Sequence, residues 1–446
     1  MRVRSSVPLS RRLLRLLKRV SAGLGVIVVL YVLAGLVCDA LIWAEVGRIR
    51  REGDPTSVAE LQAPMPPDSR NGAVYYRRAF ALVETNRFRE IWRLDSEYEL
   101  KSDPMLWKKA AAEAPQFESV VALARVAASK PACVFRENRN GTSLRQNYRI
   151  YVLSGMVIDY ARLLAHEQHG DEAYEILRLS LRVADALRSD HYCISYMDRS
   201  GIYSRCARTA AEIADEVPVS EAQAKALSDA LAQNGLLADC RRAQRWERAI
   251  RISDFRHAAR HGFREDEMYG SYRAVGTFES SVVGRPLLWA DELSYLRSMR
   301  RAKRDILIPF REQPKPPPPT GLCECEERHC IWPYSNACSY GYDVYKLRRY
   351  ADTSQANICT ARVAMALCIY RQRYREYPAK LHDLRRLGWR LDLVDPFSGR
   401  ELVYRRTPKG CMVYSIGPNL KDDGGEGPRS LGSVFDGGDI VRRLGK

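Results

Sequence analysis

The sequence predicts a mainly α-helical protein with an N-terminal transmembrane helix and a small α+β domain at the C-terminal end. Three observations support this fold class. An apolar run covers residues 20–43, helix-period patterning dominates residues 71–311, and a strand–turn–strand pattern lies near the end of the chain. With 446 residues and 46% hydrophobic content, the chain can bury a large core or divide into several domains.

The first predicted element is a membrane anchor over residues 20–43. Its first nineteen residues, Val20 to Cys38, carry no charge. At about 1.5 Å rise per residue, this helix crosses a hydrocarbon layer about 30 Å thick. Seven basic residues and no acid lie in the preceding segment 1–19, whereas three basic and four acidic residues follow by Asp54. The asymmetry predicts an inner or cytoplasmic membrane protein with a cytoplasmic N-terminus and an extracytoplasmic bulk.

A cleaved signal is the alternative interpretation of this segment. The letters LAGLVC resemble a lipoprotein signal, but Val37 occupies the position where a small residue should precede Cys38. The apolar stretch is also long for a signal peptide, which favours an uncleaved signal-anchor.

A Pro-rich spacer is predicted over residues 44–70, followed by an α-helical domain over residues 71–311. Within that domain, residues 160–188 have the pattern of a helix, a Gly-Asp turn and a second helix. This pattern resembles a tetratricopeptide hairpin, although no clean 34-residue period recurs. Both a degenerate array of helical hairpins and an irregular helical domain fit the sequence.

Residues 312–321 contain four consecutive prolines, which forbid a helix and predict an extended polyproline linker. A Cys-rich segment, 322–349, follows. Its spacing matches no common zinc pattern, and short disulfide-closed loops suit an oxidising compartment, so disulfides are favoured over free thiols and over a metal site. The candidate disulfide cysteines are Cys323, Cys325, Cys330 and Cys338.

The C-terminal domain is predicted over residues 350–446. A helix is expected from Thr353 to Pro378, with one apolar stripe formed by Cys359, Val363, Leu367, Tyr370 and Tyr374. Arg362 lies off that stripe. The segments ELVYRR, TPKG and CMVYSIG then indicate strand, turn and strand, so a helix laid on a small antiparallel sheet is expected.

These elements, together with DPFSG, YSIGPNLKDDGGEG and DGGDI, resemble the globular C-terminal part of type II secretion major pseudopilins. The resemblance covers roughly the last 95 residues and implies a pilin-like α+β domain. The family's processing site and Phe-led helix have no counterpart here, which argues against a fibre subunit. The front of the chain also resembles bacterial membrane-anchored proteins with a comparable tail, which implies no activity.

In pseudopilins the C-terminal loop holds calcium. The resemblance therefore implies a calcium site at Asp423, Asp436 and Asp439, with help from Asp422 and Ser433. Carboxylate and carbonyl oxygens are the ligands that calcium prefers, and glycines let the backbone turn toward an ion. A solvated acidic turn is the alternative reading of the same residues.

The search for catalytic motifs finds no nucleophile elbow, phosphate-binding loop or dinucleotide fingerprint in the sequence. His257 and His261 share a helix face, and His166 and His169 lie at a helix end, but neither pair has the context of a metal site. The net charge of +17 attracts anions, yet acids interrupt the Arg-rich stretch 240–264, which disfavours nucleic acid. We therefore expect a non-enzymatic envelope scaffold with a protein partner; an extracytoplasmic enzyme with its site in the helical domain is the alternative.

Overall fold

The structure is a computed structural model that describes residues 9–61, 64–83, 107–108, 111–112, 114–135, 142–190, 192–261, 281–313, 335–407, 409–427 and 437–445. The α-helices are α1 (Leu9–Arg51), α2 (Ala73–Val83), α3 (Ala114–Ala128), α4 (Thr142–His166), α5 (Gly170–Ala184), α6 (Cys193–Glu216), α7 (Glu221–Ala232), α8 (Leu236–His261), α9 (Arg285–Asp305) and α10 (Ser335–Tyr374). The strands are β1 (Val403–Arg406), β2 (Cys411–Ser415) and β3 (Ile440–Leu444). The predicted fold class is confirmed at this level: a mainly helical protein with one long apolar N-terminal helix and a small C-terminal antiparallel sheet.

The chain forms two compact units. Unit 1 comprises residues 1–61, 248–304 and 315–344, and unit 2 comprises residues 62–247, 305–314 and 345–446. This division differs from the predicted domain boundaries. The predicted tail shares unit 2 with most of the predicted helical domain, because the part of α10 from residue 345 onward belongs to the core of that unit.

Unit 1 is built on α1. Within the described residues, α1 is the one helix long and apolar enough to cross a membrane. Its N-terminal half exposes its apolar side chains, as at Leu24 and Val28, whereas Ile42, Val46 and Ile49 are buried at helical spacing. The same helix therefore has an uncovered apolar part and a part that contributes to a protein core.

Two further helical segments pack on the second half of α1. The α9 helix runs parallel to it, since Gly35 meets Pro286, Glu45 pairs with Arg300 and Glu52 pairs with Lys303. The last part of α8 runs antiparallel to it: Arg256 lies over the ring of Trp43, and Arg248 pairs with Asp54. The second half of α1 is therefore one member of a three-helix arrangement.

The α1 helix continues through Arg51, eight residues into the predicted spacer, and ends where Gly53 adopts a left-handed conformation (φ 75°). The residues that follow are packed against protein. Thr56 is fully buried and its hydroxyl joins Arg50 to Glu60, and the Val58 N–H donates to the Ser253 hydroxyl. The predicted spacer is thus a structured part of unit 1 over residues 54–61.

The core of unit 2 surrounds α10. Nearly every side chain from Ala356 to Tyr370 is buried, including residues outside the predicted stripe. Arg362 lies off the predicted apolar stripe and was therefore expected to be exposed. It is buried and donates to the Ser228 hydroxyl and to the Arg390 carbonyl. The one-sided stripe was therefore too narrow for residues 356–370, which are covered on all sides, whereas Tyr374, its last member, is exposed.

The predicted helix–turn–helix at residues 160–188 is present as the end of α4, a short turn and α5. Leu163 and Leu164 on one side and Ala173 and Leu177 on the other are buried as expected. The Tyr174 hydroxyl donates to the Ala210 carbonyl at 2.6 Å and so ties α5 to α6. Whether such hairpins form a tetratricopeptide-like array stays a prediction.

The C-terminal sheet has the order β1-β2-β3, and both pairs are antiparallel. The first two strands lie where the sequence predicts them, and the turn between them is closed by the Thr407 N–H and the Gly410 carbonyl. The sheet is joined to the helices of unit 2: Arg442 donates to Asn357 of α10, and the Gly445 N–H donates to Asp215 of α6.

Candidate functional site

The acidic loop after β2 is held by backbone hydrogen bonds to its own carboxylates. Asp439 is fully buried, and its carboxylate accepts from the N–H of Gly425 at 2.6 Å and of Asp423 at 3.3 Å. Burial, outweighing these two hydrogen bonds, raises the pKa of Asp439. Gly417 is required at the start of the loop, because its φ is 68° and a side chain there would clash with the Gly438 carbonyl oxygen.

The other predicted calcium ligands have separate partners. Asp422 accepts from the hydroxyl of Tyr414 at 2.9 Å, and Asp423 accepts from the side-chain amide of Asn419 at 2.7 Å. A backbone hydrogen bond from Gly424, followed by the bond from Tyr414, lowers the pKa of Asp422. Each of these carboxylates serves the geometry of the loop.

The described part of the chain contains no group of three acidic, His or Cys side chains arranged to hold a metal ion. Asp436 and Ser433 lie outside the described residues, so the structure describes only part of the predicted ligand set. Calcium at this loop therefore stays a prediction of the resemblance.

The predicted disulfide cysteines fall mostly outside the described residues, which include neither Cys323, Cys325 nor Cys330. Cys338 lies in the first turn of α10. Several other cysteines are free and buried: Cys206, Cys240, Cys359, Cys368 and Cys411. Burial raises the pKa of Cys359 to about 12, so this thiol is a core residue and not a nucleophile.

One of the two histidine pairs has the geometry that its spacing predicts, and His166 of the other pair packs on a tryptophan. The rings of His257 and His261 lie 5.0 Å apart on α8, and His166 stacks on Trp107 at 4.3 Å. Neither pair belongs to a metal-binding group among the described residues.

A polar cluster that the sequence analysis missed lies at the start of α6. The Ser195 hydroxyl accepts from the Asn147 amide at 2.6 Å and donates to the Asp190 carboxylate at 2.8 Å. Asp198, one turn further along α6, is partly buried; burial and the charge of Asp190 raise its pKa to about 6. Burial raises the pKa of Tyr350, and the charge of the Asp198 carboxylate raises it further.

The arrangement combines the Asp190 and Asp198 carboxyl groups, the buried Ser195 hydroxyl and Tyr350 in one cluster built from α6, the segment before it and α10. A carboxyl group whose pKa is raised toward neutrality is what general acid–base chemistry needs. His191, next to Asp190 in sequence, lies outside the described residues. The letters SDHYCISYMD carry two acids, a His and two serines within ten residues, which is the signal that could have indicated the cluster.

Behind this cluster, Arg199 forms the centre of a buried ionic network. Its side chain is 1% exposed and donates to Asp185 at 2.8 Å, to Asp239 at 2.6 Å and to the Asn234 carbonyl at 2.7 Å. Its guanidinium also lies 4.5 Å from the ring centroid of Tyr203. Its three nitrogens all donate to partners within the protein, which indicates a structural role that joins α6 to the start of α8.

Unit 1 contains a second buried ionic centre, at Asp54. The Asp54 side chain is 2% exposed and accepts from Arg248 and from Lys303, each at 2.7 Å. Burial opposes its ionisation, but the hydrogen bonds from Lys303 and Arg248 outweigh it and lower the pKa of Asp54. The segment just after α1 is thereby fixed to both α8 and α9.

No protein-family model matches the chain, and comparisons with curated proteins and with solved structures find no match.

Proposed function

We propose that the protein is a single-pass membrane protein whose extracytoplasmic part serves as a non-enzymatic scaffold in the envelope. In this proposal α1 is the anchor, segment 1–19 is cytoplasmic, and units 1 and 2 present surfaces to a protein partner. The pilin-like tail, read from its resemblance to pseudopilins, suggests a role related to secretion or envelope assembly.

One observation carries the proposal: α1 exposes apolar side chains over its first half and enters the core of unit 1 with its second half. A helix with that much uncovered apolar surface favours a bilayer environment. Because Ile42, Val46 and Ile49 are core residues, the body of the protein depends on the same helix that would span the membrane.

The contacts also bear on the question of cleavage. The Tyr31 hydroxyl donates to the Val283 carbonyl, and Gly35 packs on Pro286, so two contacts of unit 1 precede Cys38. Processing before Cys38 would remove both contacts and leave Pro286 uncovered. This favours a retained anchor over a lipoprotein signal.

The test is a topology and processing experiment on the full-length chain. We expect the protein to stay in the membrane pellet after alkaline carbonate, to keep its initial residues in intact-mass spectrometry, and to activate an alkaline phosphatase fused after Lys446. A matched chain with Val28 and Leu30 changed to Asp should leave the pellet. A mature chain that begins at Cys38, or a fusion active only as a cytosolic reporter, would overturn the proposal.

A second candidate is an extracytoplasmic hydrolase that works through Asp190 and Asp198. The specific observation in its favour is the raised pKa of Asp198 beside an acid that is hydrogen bonded to Ser195. Such an enzyme should lose hydrolysis of ester or glycoside substrates in Asp198→Asn and keep it in Asp229→Asn, an exposed acid of α7 that pairs with Lys225. Wild-type protein inactive on both substrate classes between pH 5 and 8 (roughly the range that brackets the pKa of Asp198) would remove this candidate.

A further inference from the structure

The turn before α9 exposes two adjacent valines. Val282 is 77% exposed and Val283 is 66% exposed, the highest values for any large hydrophobic side chain in the described part of the chain. Two such side chains side by side in water are costly, by about 25 cal/mol for each Å² of apolar surface. The turn therefore calls for an apolar environment outside the protein.

The turn is held in unit 1 by specific contacts with α1 and α8. The Tyr31 hydroxyl of α1 donates to the Val283 carbonyl at 2.9 Å. A Cβ atom on Gly35 would lie 2.7 Å from the Cβ of Pro286, so glycine at position 35 lets the turn sit directly against α1. The Arg285 guanidinium donates to the Ala259 carbonyl at 3.0 Å, which fixes the turn to the end of α8 as well.

Part of the turn's backbone is hydrogen bonded within the turn. The Gly284 N–H donates to the Ser281 hydroxyl at 3.1 Å, and the Arg285 N–H donates to the Ser281 carbonyl at 3.0 Å. The Gly284 carbonyl accepts from the Leu287 N–H at 2.9 Å. Internal pairing of this kind is what irregular backbone needs in order to enter a medium without water.

The level of the turn along α1 gives its depth. Trp43 is 61% exposed and lies beside Arg256, a pairing suited to the boundary between lipid and water. Gly35, which contacts Pro286, is eight residues closer to the N-terminus of α1. At about 1.5 Å per residue, Gly35 lies about 12 Å below Trp43, and a half-bilayer has a hydrocarbon depth of about 15 Å.

The α1 surface around this level is apolar and uncovered. Leu33, Leu36 and Val37 are each about half exposed, and they continue the exposed surface that begins at Leu24. The valines therefore adjoin the part of α1 that the proposed function assigns to the bilayer, and both surfaces require the same apolar surroundings.

We propose that the turn Ser281–Pro286 inserts Val282 and Val283 into the acyl chains of the extracytoplasmic leaflet, beside the anchor. The proposal rests on the proposed membrane anchor. With α1 as one point of attachment and the turn as a second, unit 1 is held at a fixed tilt and cannot rotate freely about the anchor. The occupant of the exposed valine surface is lipid.

The experiment uses the full-length chain in vesicles of phosphatidylethanolamine and phosphatidylglycerol, with the photoreactive residue p-benzoylphenylalanine placed at single positions. The positions are Val282, Val28 as the anchor control, and Arg301 as a control on the exposed far end of α9. After irradiation, lipid adducts on the corresponding peptides are measured by mass spectrometry. We expect adducts at Val282 and at Val28, and none above the unirradiated sample at Arg301.

The outcomes separate the two proposals. Adducts at Val28 with none at Val282 would overturn lipid insertion of the turn and leave the anchor in place. No adduct at Val28 would overturn the anchor itself. Equal adducts at Val282 and Arg301 would also overturn insertion, because they would show that lipid reacts with both ends of α9 and that the turn does not enter the bilayer more deeply than the control position. Resistance of α9 to proteolysis, measured for each variant, confirms that the label leaves unit 1 folded.

Discussion

Asp54 lies just after α1 in unit 1, and we predict that Asp54→Asn loosens the packing of α1 against α8 and α9. The carboxylate accepts from Arg248, whose side chain is 4% exposed, and from Lys303, whose side chain is 35% exposed. Removal of the negative charge leaves the buried Arg248 cation without its counterion. Breaking a buried ion pair on one side costs about 3–5 kcal/mol, and we expect about 3 kcal/mol because Asn keeps one acceptor oxygen.

Glu52→Gln is the matched control. Glu52 accepts from the same Lys303 nitrogen at 2.6 Å, but its side chain is 42% exposed. An exposed ion pair contributes about 0–1 kcal/mol, so this variant should change the stability of unit 1 little. Each variant removes one negative charge that pairs with Lys303, and the two carboxylates differ in how deeply they are buried.

The assay is hydrogen exchange with mass spectrometry on the full-length chain in nanodiscs at neutral pH. A loss of about 3 kcal/mol raises exchange in peptides from residues 42–54 and 248–258 by roughly 100-fold, at tenfold for every 1.4 kcal/mol. The pKa of Asp54 is lowered, so its stabilisation is present above the ordinary Asp range and is lost as the pH falls through the lowered value. Equal exchange in Asp54→Asn and Glu52→Gln would refute the reasoning.

Three further predictions concern unit 2. Because the pKa of Asp198 is raised to about 6, the contribution of this group to stability is present at acid pH and is lost as the pH rises through 6, so Asp198→Asn should raise the thermal midpoint at pH 8 and not at pH 4; an equal shift at both pH values contradicts this. Arg199→Met should lower the free energy of unfolding, measured with urea, by about 3–5 kcal/mol, against less than about 1 kcal/mol for Lys225→Met at an exposed pair; similar losses would place Arg199 outside the core network. If the tail loop holds calcium, the midpoint should be higher with calcium than with chelator, and Asp439→Asn should remove the difference; an unchanged wild-type midpoint leaves the loop a turn.

The sequence predicts the elements of the tail better than their surroundings. The two strands of the first hairpin follow from alternating residues around a Pro-Lys-Gly turn, and they lie where predicted. The third strand, Ile440–Leu444, was not predicted as a strand, because a five-residue segment with two arginines has little apolar alternation. It forms because β2 offers it an edge, which is information held elsewhere in the chain.

The helix α10 shows a second limit of pattern reading. A stripe of apolar residues predicts one buried face, but a helix at the centre of a unit is buried on every face. Arg362 and Asp352 then appear as surface charges in the sequence, although both are buried. Arg362 bonds the Ser228 hydroxyl, 134 residues away, and Asp352 bonds the Phe310 N–H, 42 residues away. Only the pair of Asp352 with Arg348, one turn earlier in α10, could be read from spacing along the helix.

The candidate cluster at Asp190 and Asp198 was missed for a related reason. Its residues come from α4, the segment before α6, α6 itself and α10, and the shifted pKa of Asp198 arises from burial that only the packed structure provides. The acids themselves are visible in the sequence, but many acid pairs on helices are solvated. Sequence alone cannot separate the two cases.

The charges that follow the anchor have two roles that act at different times. In the folded unit 1, Glu45, Glu52 and Asp54 pair with cations from residues 248–303. Those partners are synthesised about 200 residues after α1, at a point when α1 has left the ribosome and, as a proposed anchor, has met the membrane. The ion pairs therefore cannot guide insertion, which depends on the excess of cations in segment 1–19 over the three that follow the span. In the proposed topology, unit 1 stabilises an orientation that the first segment sets, so we expect that reversing it requires changes before residue 20, not at Asp54.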